Sequence, residues 1–257
     1  MRNGPTRTPF VKHTLLGIEL AAVRPAEAVE FALGGGLVLA PSGPGLCDLQ
    51  TDLNYREALE SADLNLPDSG LAIFLMRCLG MGRLPRTSGL GFLSALLKCP
   101  QMQMTGASLW VMPSEESMYR TRVFLNQRGI PASDGDFHLA PFYSRSGEVR
   151  DDDLLEKIRA SNARFVFICI GSGPQEKLGA WLRRNLPNSL TICCIGAAIG
   201  FLSGDQVAIP EWADRMCLGW FFRCVSNPGK FVPRYAGALR LVGLILRYRE
   251  KPPWSCS

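Results

Sequence analysis

Short, continuously apolar segments alternate with amphipathic segments along most of this chain. The clearest apolar segments are GLVLAP (36–41), SLWVM (108–112), FVFICI (165–170) and LTICCIG (190–196). Strands that are apolar on both sides are typical of a parallel sheet covered on both faces. The intervening segments have helical periodicity and end signals, such as Ser114 before and Gly129 after one of them. We therefore predict an α/β fold: a Rossmann-like, mostly parallel sheet with helices on both faces and a helical C-terminal appendage.

Composition limits the class of protein further. The chain has 257 residues, of which 47% are hydrophobic, so it is globular rather than disordered or fibrous. No apolar run reaches the roughly 18 residues of a membrane-spanning helix, and the first ten residues lack the apolar block of a secretory signal. We predict a flexible tail over 1–13, a Rossmann-like α/β core over 14–204 and a basic, amphipathic appendage over 205–257.

The nine cysteines include no C-x-x-C pair, and several lie inside apolar runs. There a free cysteine behaves as a small hydrophobic residue. We therefore expect buried, reduced thiols and a cytoplasmic protein. With only His13 and His138 available, a zinc site would need unusual ligands.

The positive charge is concentrated at the C-terminal end. The net charge is +5, but residues from 215 onward carry +7 and the rest of the chain −2. Such a segment favours an anionic partner. A lipid surface and a phosphate-bearing substrate fit this charge, whereas nucleic-acid binding has no supporting motif and is not predicted.

The segment FVFICIGSGPQEKLG (165–179) combines a buried strand, a glycine-rich turn and a helix start. Such a turn directs backbone N–H groups at an anion, but Glu176 stands where a dinucleotide fingerprint has its third glycine. A nucleotide-binding turn and a tight turn without a ligand both remain open.

Two acidic groups have the spacing of metal-dependent sugar transferases, Asp134-Gly-Asp136 and Asp151 to Asp153. We interpret the first as a turn and the second as the start of a helix. A metal-dependent nucleotide-sugar enzyme that uses Asp134 or Asp136 is a weaker alternative.

Asp68 follows a short predicted strand and precedes Ser69-Gly70 and an apolar helix. A carboxylate there would project at the carboxyl edge of the sheet, where open α/β sheets bind ligands. The alternative is that Asp68 only caps the helix. Arg86 lies in a second polar turn, R-T-S-G (86–89), and would hold a diphosphate if that turn returns to the same edge.

Taken together, these motifs resemble those of the WecG/TagA/CpsF (TagA-like) glycosyltransferases, glycosyltransferase family 26, over about 15–235. The motifs are ADLNLPDSG (62–70), RTSG (86–89), GSGPQE (171–176), GAAIGFLSG (196–204) and IPEWADRMCLGWFFRCVSNPGKFVPRY (209–235). The resemblance implies an inverting transfer of an N-acetylhexosamine or uronic acid type of sugar from a UDP-sugar donor. It also implies that the enzyme has no metal site and needs no cofactor. The implied acceptor is a polyprenyl-diphosphate-linked glycan of surface polysaccharide synthesis.

The resemblance also implies roles for individual residues. Asp68 would be the general base that deprotonates the acceptor hydroxyl. The implied substrate-binding residues are Ser42, Ser69, Gly70, Arg86, Gly173, Gln175, Glu176, Arg223, Lys230 and Arg234. Of these, Gln175 would lie near the donor sugar, and Glu176 is an alternative candidate for orienting the loop.

The chain departs from the family pattern at several positions. The family's Thr-x-Asn loop is replaced by PSGPG (41–45), in which only Ser42 supplies a hydroxyl, and the family's arginine and glutamate are lost at Ala208 and Gly219. The alternative function is therefore a catalytically altered nucleotide-sugar-binding or scaffold protein of the same family.

The appendage is expected to work at a membrane. Leu239, Val242 and Leu246 form an apolar stripe near Arg240 and Arg247, which suits either a helix on an anionic leaflet or a helix packed on the core. We predict contact with an anionic membrane surface through residues 215–251 and a peripheral location on the inner face of the membrane. The oligomeric state stays open, a homo-oligomer included.

Overall fold

A six-stranded parallel sheet forms the centre of the protein, as a computed structural model shows it. The structure describes residues 10–206 and 239–254, together with Val225, Pro228, Gly229 and Gly237. The sheet strands are β3 (Gly36–Leu39), β4 (Leu64–Asn65), β5 (Ser108–Met112), β6 (Phe137–Leu139), β7 (Phe165–Ile168) and β8 (Thr191–Cys194). Their order is β4-β3-β8-β7-β5-β6, and every pair is parallel. The predicted Rossmann-like α/β class is confirmed.

Helices cover both faces of this sheet. They are α1 (Pro25–Leu33), α2 (Gly43–Leu46), α3 (Leu53–Glu60), α4 (Gly70–Cys78), α5 (Gly89–Leu96), α6 (Glu115–Gln127), α7 (Asp152–Ala160), α8 (Pro174–Asn185), α9 (Ala198–Ser203) and α10 (Leu239–Tyr248). Three short 3-10 turns span Cys47–Gln50, Pro100–Gln103 and Asp134–Asp136. Within the described ranges, no helix is long and apolar enough to cross a bilayer.

Alternate residues of each strand enter two separate cores. In β7, for example, Val166 and Ile168 face one core while Phe165 and Phe167 face the other. The first core, on what we call the α4 layer, holds buried residues of α2, α3, α4, α7, α8 and α10. The second core, on the α5 layer, holds those of α1, α5, α6 and α9. This two-sided burial explains why the strands are apolar throughout.

Three elements were not predicted from the sequence. A separate hairpin, β1 (Lys12–Leu15) and β2 (Ile18–Ala21), precedes the sheet, so ordered structure begins within the segment predicted as a tail. The edge strand β6 is only three residues long and buries fully only Phe137. The helical turn α2 replaces the expected PSGPG loop.

The C-terminal segment closes on the β1–β2 hairpin. The N–H groups of Leu16 and Gly17 donate to the carbonyl oxygens of Arg249 and Glu250, at 2.8 and 3.0 Å. The guanidinium of Arg56 lies over the ring of Trp254 at 3.9 Å. The end of the appendage is therefore part of the folded body.

The face of α10 that packs on the core is not the apolar stripe formed by Leu239, Val242 and Leu246. Leu241, Ile245 and Tyr248 are buried, whereas Leu239 and Leu246 are 70% and 55% exposed. The alternative in which the Leu239–Val242–Leu246 stripe packs on the core is therefore wrong. This helix is apolar on both sides, so its periodicity did not identify the inner one.

The described cysteines are free thiols: Cys47, Cys78, Cys99, Cys169, Cys193 and Cys194. Four of them are buried as predicted, whereas Cys99 is half-buried and Cys78 is exposed. Burial raises the pKa of the Cys169, Cys193 and Cys194 thiols. These side chains behave as small apolar groups in the strands around β7 and β8.

Two adjacent residues of α10 provide a test of its docking. We expect Ile245→Ala to lower the free energy of unfolding by about 2–5 kcal/mol, because Ile245 is fully buried and its truncation leaves a cavity. Leu246→Ala is the matched control and is expected to change it by less than about 0.5 kcal/mol. Urea unfolding followed by circular dichroism measures both values. Equal effects would contradict the docked orientation.

Candidate active site

Loops that follow four neighbouring strands meet at the carboxyl edge of the sheet. The loop after β3 approaches the loop after β4, since a Cβ built on Gly43 would lie 2.9 Å from the Oγ of Ser69. A Cβ on Gly89, at the start of α5, would lie 3.3 Å from the Cβ of Ala40 and 3.4 Å from the carbonyl oxygen of Ile195. The loops after β3, β4 and β8 are therefore in close contact. Open parallel sheets bind their ligands at this edge.

Asp68 is half-buried at this edge and is held by the start of α5. Its Oδ1 accepts a hydrogen bond from the Gly89 N–H at 2.9 Å. The positive end of a helix and a backbone N–H both favour an ionised carboxylate. A general base needs this form before it takes a proton.

Arg86 lies beside Asp68 in the folded protein. Its Nε donates to the backbone carbonyl oxygen of Asp68 at 3.0 Å, and the following N–H, of Thr87, donates to the Pro67 carbonyl at 3.2 Å. The turn at 86–89 therefore returns to the end of β4 and brings a guanidinium and a carboxylate to one place.

The simpler interpretation of Asp68, as the cap of α4, is wrong. Ser69 is the N-cap, and its Oγ accepts from the Ala72 N–H at 3.3 Å. Gly70 is the first residue of α4. Because Ser69 caps the helix, the Asp68 carboxylate is directed to α5 instead.

Ser42 lies in the loop after β3, on the same side of the site. It is the N-cap of α2, and its Oγ accepts from the Gly45 N–H at 3.3 Å. A hydroxyl that accepts in this way still carries a proton to donate. Glycine at 45 is required because a Cβ there would lie 2.6 Å from the Oη of Tyr55 and would collide with Ser172.

The turn between β7 and α8 holds the second group of predicted residues. Gly171 and Gly173 have φ angles of 102° and 98°, which favour glycine. The Gly173 N–H donates to Oε2 of Glu176 at 2.7 Å, and Nε2 of Gln175 donates to Oε1 of Glu176 at 3.0 Å. Glu176 thus takes up a backbone N–H that a bound anion would otherwise use.

Gln175 joins this turn to the loop after β8. It is 2% exposed, and its Oε1 accepts from the Gly196 N–H at 2.9 Å. Burial raises the pKa of Glu176, against the hydrogen bonds from Gln175, Gly173 and Ser172 that stabilise its carboxylate. Both side chains are therefore bound into the protein, and they fix the shape of the turn rather than point freely outward.

Sequence reasoning assigned no role to three residues of this edge: Gly89, Tyr55 and Ser172. Burial raises the pKa of Tyr55 well above its usual value, so its hydroxyl stays neutral behind α2. The two glycines of G-P-G (43–45) were the available signal, because paired glycines often mark a close approach of backbone to side chains.

The acidic pair considered for a metal lies at the other end of the sheet. Asp134 and Asp136 form a turn immediately before β6, at its amino end, as the turn interpretation predicted. Asp136 accepts from the Ser133 N–H and hydroxyl at 2.8 and 2.7 Å, and Asp134 pairs with Arg122. Across 10–206 and 239–254, no group of three His, Cys, Asp or Glu residues is arranged to hold a metal ion. Asp151 to Asp153 begin α7, also as predicted.

The predicted substrate-binding residues fall into two described groups. One is formed by Ser42, Ser69, Gly70 and Arg86 around Asp68, and the other by Gly173, Gln175 and Glu176. Arg223, Lys230 and Arg234 lie outside the described residues, as do Ala208 and Gly219.

Glu176→Gln tests whether the buried carboxylate holds the turn. The amide would put an N–H group against one of the donors that now bind Glu176, so we expect a loss of about 1–3 kcal/mol in unfolding free energy. A raised pKa means that the wild type loses stability relative to this variant as the pH rises above about 4.3. Urea unfolding between pH 4 and 8 should therefore show that the wild type and Glu176→Gln differ less in unfolding free energy as the pH rises. A difference that widens would contradict the assignment.

Comparisons with known proteins identify the family to which the chain belongs. The model of the glycosyl transferase WecG/TagA/CpsF family matches residues 13–254. An N-acetylglucosaminyldiphosphoundecaprenol N-acetyl-beta-D-mannosaminyltransferase of Bacillus subtilis (strain 168) is 28% identical over 197 residues, covering 72% of this chain and 71% of that protein. A protein of the same name from Bacillus spizizenii (strain ATCC 23059 / NRRL B-14472 / W23) is 26% identical over 196 residues, with coverage of 72% and 71%. The family match extends from the first hairpin to the end of the appendage, and the chain therefore belongs to the WecG/TagA/CpsF family of glycosyltransferases.

Proposed function

We propose that this enzyme transfers an N-acetylhexosamine or uronic acid type of sugar from a UDP-sugar to a polyprenyl-diphosphate-linked acceptor, with inversion and without a metal. The observation that carries the proposal is the Asp68 carboxylate, held at 2.9 Å by the first N–H of α5 beside the Arg86 guanidinium. The relatives are named for transfer of N-acetylmannosamine to an undecaprenol-diphosphate-linked N-acetylglucosamine, which makes this donor sugar and acceptor the first to assay.

The proposed reaction is a single displacement. The acceptor hydroxyl oxygen attacks the anomeric carbon, the bond from that carbon to the UDP oxygen breaks, and UDP leaves with the electron pair. Asp68 accepts the proton of the attacking hydroxyl. Because the negative charge grows on the leaving diphosphate, a cation at this edge stabilises the transition state.

Arg86 is the described residue that we assign to this charge. Its backbone neighbourhood is fixed by the Thr87 and Asp68 contacts, so the guanidinium is held in place before substrate binds. Arg223, Lys230 and Arg234 are proposed to add further positive charge, as the family resemblance implies. Ser42, Ser69 and Gly70 are proposed to bind substrate around the base.

We also propose where the enzyme works. A lipid-linked acceptor places it at the inner face of the cell membrane, as a peripheral protein bound through the basic segment 215–251. This lipid is the substrate named for both relatives.

A second candidate function is a nucleotide-sugar-binding or scaffold protein without turnover. It is favoured by one observation: PSGPG folds into the helical turn α2, where the family resemblance expects a Thr-x-Asn loop. Calorimetric titration with UDP-sugars, together with a turnover assay, separates the two. Binding without transfer would support the second candidate.

Asp68→Asn tests the general base. The amide oxygen can still accept from the Gly89 N–H, but the side chain cannot take a proton at neutral pH. We expect kcat to fall by about 10²–10⁴-fold while UDP binding by calorimetry stays near the wild-type value. Asp153→Asn, in the exposed first turn of α7, is the control and should turn over normally. Normal turnover of Asp68→Asn would remove Asp68 from the mechanism.

Arg86→Gln tests whether a side-chain cation takes the place of a metal. We expect a loss of about 10²-fold in kcat, by analogy with removal of one stabilising donor, and no rescue by added Mg²⁺ or Mn²⁺. The wild type should keep its full rate in excess EDTA. Inactivation by EDTA that Mg²⁺ reverses would overturn metal independence.

A further inference from the structure

The outward side of α4 is unusually apolar for a surface helix. Its inner residues Ala72, Ile73 and Met76 are buried in the core of the α4 layer. On the opposite side, Leu71 and Phe74 are 38% and 61% exposed. A surface helix ordinarily has polar residues on this side. Large exposed apolar side chains that lie together commonly mark a surface that binds a partner or a membrane.

The neighbouring helix α10 has the same character. It packs against α4 on the same layer of the protein. Leu239 and Leu246, on its outer side, are 70% and 55% exposed. Two adjacent helices therefore both present large apolar side chains to their surroundings.

Positive charge surrounds these apolar residues. A cleft of about 470 Å³ at the last turn of α4 is lined by Arg77, Arg83, Leu84 and Pro85. The Arg77 guanidinium is fixed there by donating to the Leu84 carbonyl oxygen at 2.9 Å, and Arg83 is exposed. Residues 70–86 and 239–249 contain no Asp or Glu. The charge of both segments is therefore complementary to an anionic surface.

We propose that the outer sides of α4 and α10 form a surface that docks on an anionic phospholipid leaflet, with a lipid phosphate in the Arg77–Arg83 cleft. We call the four exposed residues Leu71, Phe74, Leu239 and Leu246 the apolar face. Apolar side chains beside cations are the combination that binds anionic leaflets. The proposal adds a contact in the α/β core to the one expected from residues 215–251.

The position of this surface fits the chemistry. Asp68 lies two residues before Gly70, the first residue of α4, so Leu71 and Phe74 follow the proposed base within about two helical turns. A diphosphate anchored in the leaflet by its polyprenyl chain would therefore arrive next to Asp68. In this respect the inference rests on the proposed function.

Vesicle co-sedimentation tests the surface directly. With vesicles of 70% phosphatidylcholine and 30% phosphatidylglycerol, we expect Phe74→Ser to lower the partition coefficient of the full chain about tenfold. Leu246→Ser is expected to lower it similarly. Arg83→Gln should lower it about fivefold on these vesicles and leave binding to pure phosphatidylcholine unchanged.

Two exposed residues associated with the α5 layer, on the other side of the sheet from α4, provide matched controls. Met104, 58% exposed, follows a turn whose Met102 is buried in the core of that layer, and the exposed Lys98 follows α5. Met104→Ser and Lys98→Gln should bind the vesicles as the wild type does. Thermal unfolding should show that all variants remain folded.

Two cysteines report which side meets the leaflet. Cys78 is exposed at the end of α4, whereas Cys99 lies after α5, packed against the other core. We expect vesicles to slow maleimide labelling of Cys78 severalfold, measured by peptide mass spectrometry, without slowing that of Cys99.

Any of three results would overturn the docking surface. Phe74→Ser could bind vesicles as tightly as the wild type, or vesicles could slow the labelling of Cys78 and Cys99 equally. The third result is a dimer without vesicles that Phe74→Ser dissociates while its vesicle binding stays unchanged.

A transfer assay with a water-soluble, short-chain acceptor separates failure of the docking surface from failure of the proposed function. A wild type that docks as described but transfers no sugar to that acceptor contradicts the proposed function alone. Wild-type transfer together with wild-type docking by Phe74→Ser contradicts the docking surface alone.

Discussion

The common direction of the six sheet strands is the constraint on which the rest of the structure depends. Parallel strands need long crossovers, and the helices of those crossovers bury both faces of the sheet. Polar groups that must meet a ligand are then confined to the strand ends. Asp68 and the Gly171–Gly173 turn lie at the carboxyl edge, whereas Asp134 lies at the amino edge. This separation, rather than the spacing of the carboxylates in the sequence, decides which acid can take part in a single site.

Buried polar contacts give the carboxyl edge its fixed shape. Lys177, in the first turn of α8, is 3% exposed, and its Nζ donates to Oδ2 of Asp52 at 2.8 Å and to the Arg145 carbonyl oxygen at 2.6 Å. A cation near a helix N-terminus is unfavourable by itself, and the Asp52 carboxylate offsets this cost. Together with Gln175, which accepts from the Gly196 N–H, Lys177 ties the start of α8 to three other segments. Substrate would therefore meet a turn that needs little reorganisation.

The sequence was sufficient for the features that depend on local pattern. Apolar runs predicted the central strands, and the position of Asp68 after β4 predicted its place at the carboxyl edge. The turn at 86–89 was expected near Asp68, but its bond from the Gly89 N–H was not predictable, because it depends on the packing of α5. The inner face of α10 was left open between two alternatives for another reason. With Leu, Val or Ile at most of its positions, burial of Leu241 and Ile245 rather than Leu239 and Leu246 depends on the neighbouring α4.

The two helices that begin beside Asp68 divide the surroundings of the site. The first, α5, lies on one layer and buries Phe92, Leu93 and Leu96 in its core. The other, α4, lies on the opposite layer and leaves Phe74 exposed. Asp68 thus lies between the packed α5 layer, whose first N–H holds its carboxylate, and the exposed apolar residues of α4. In the proposed reaction, this combination keeps the base rigid while the lipid-linked acceptor approaches from the leaflet.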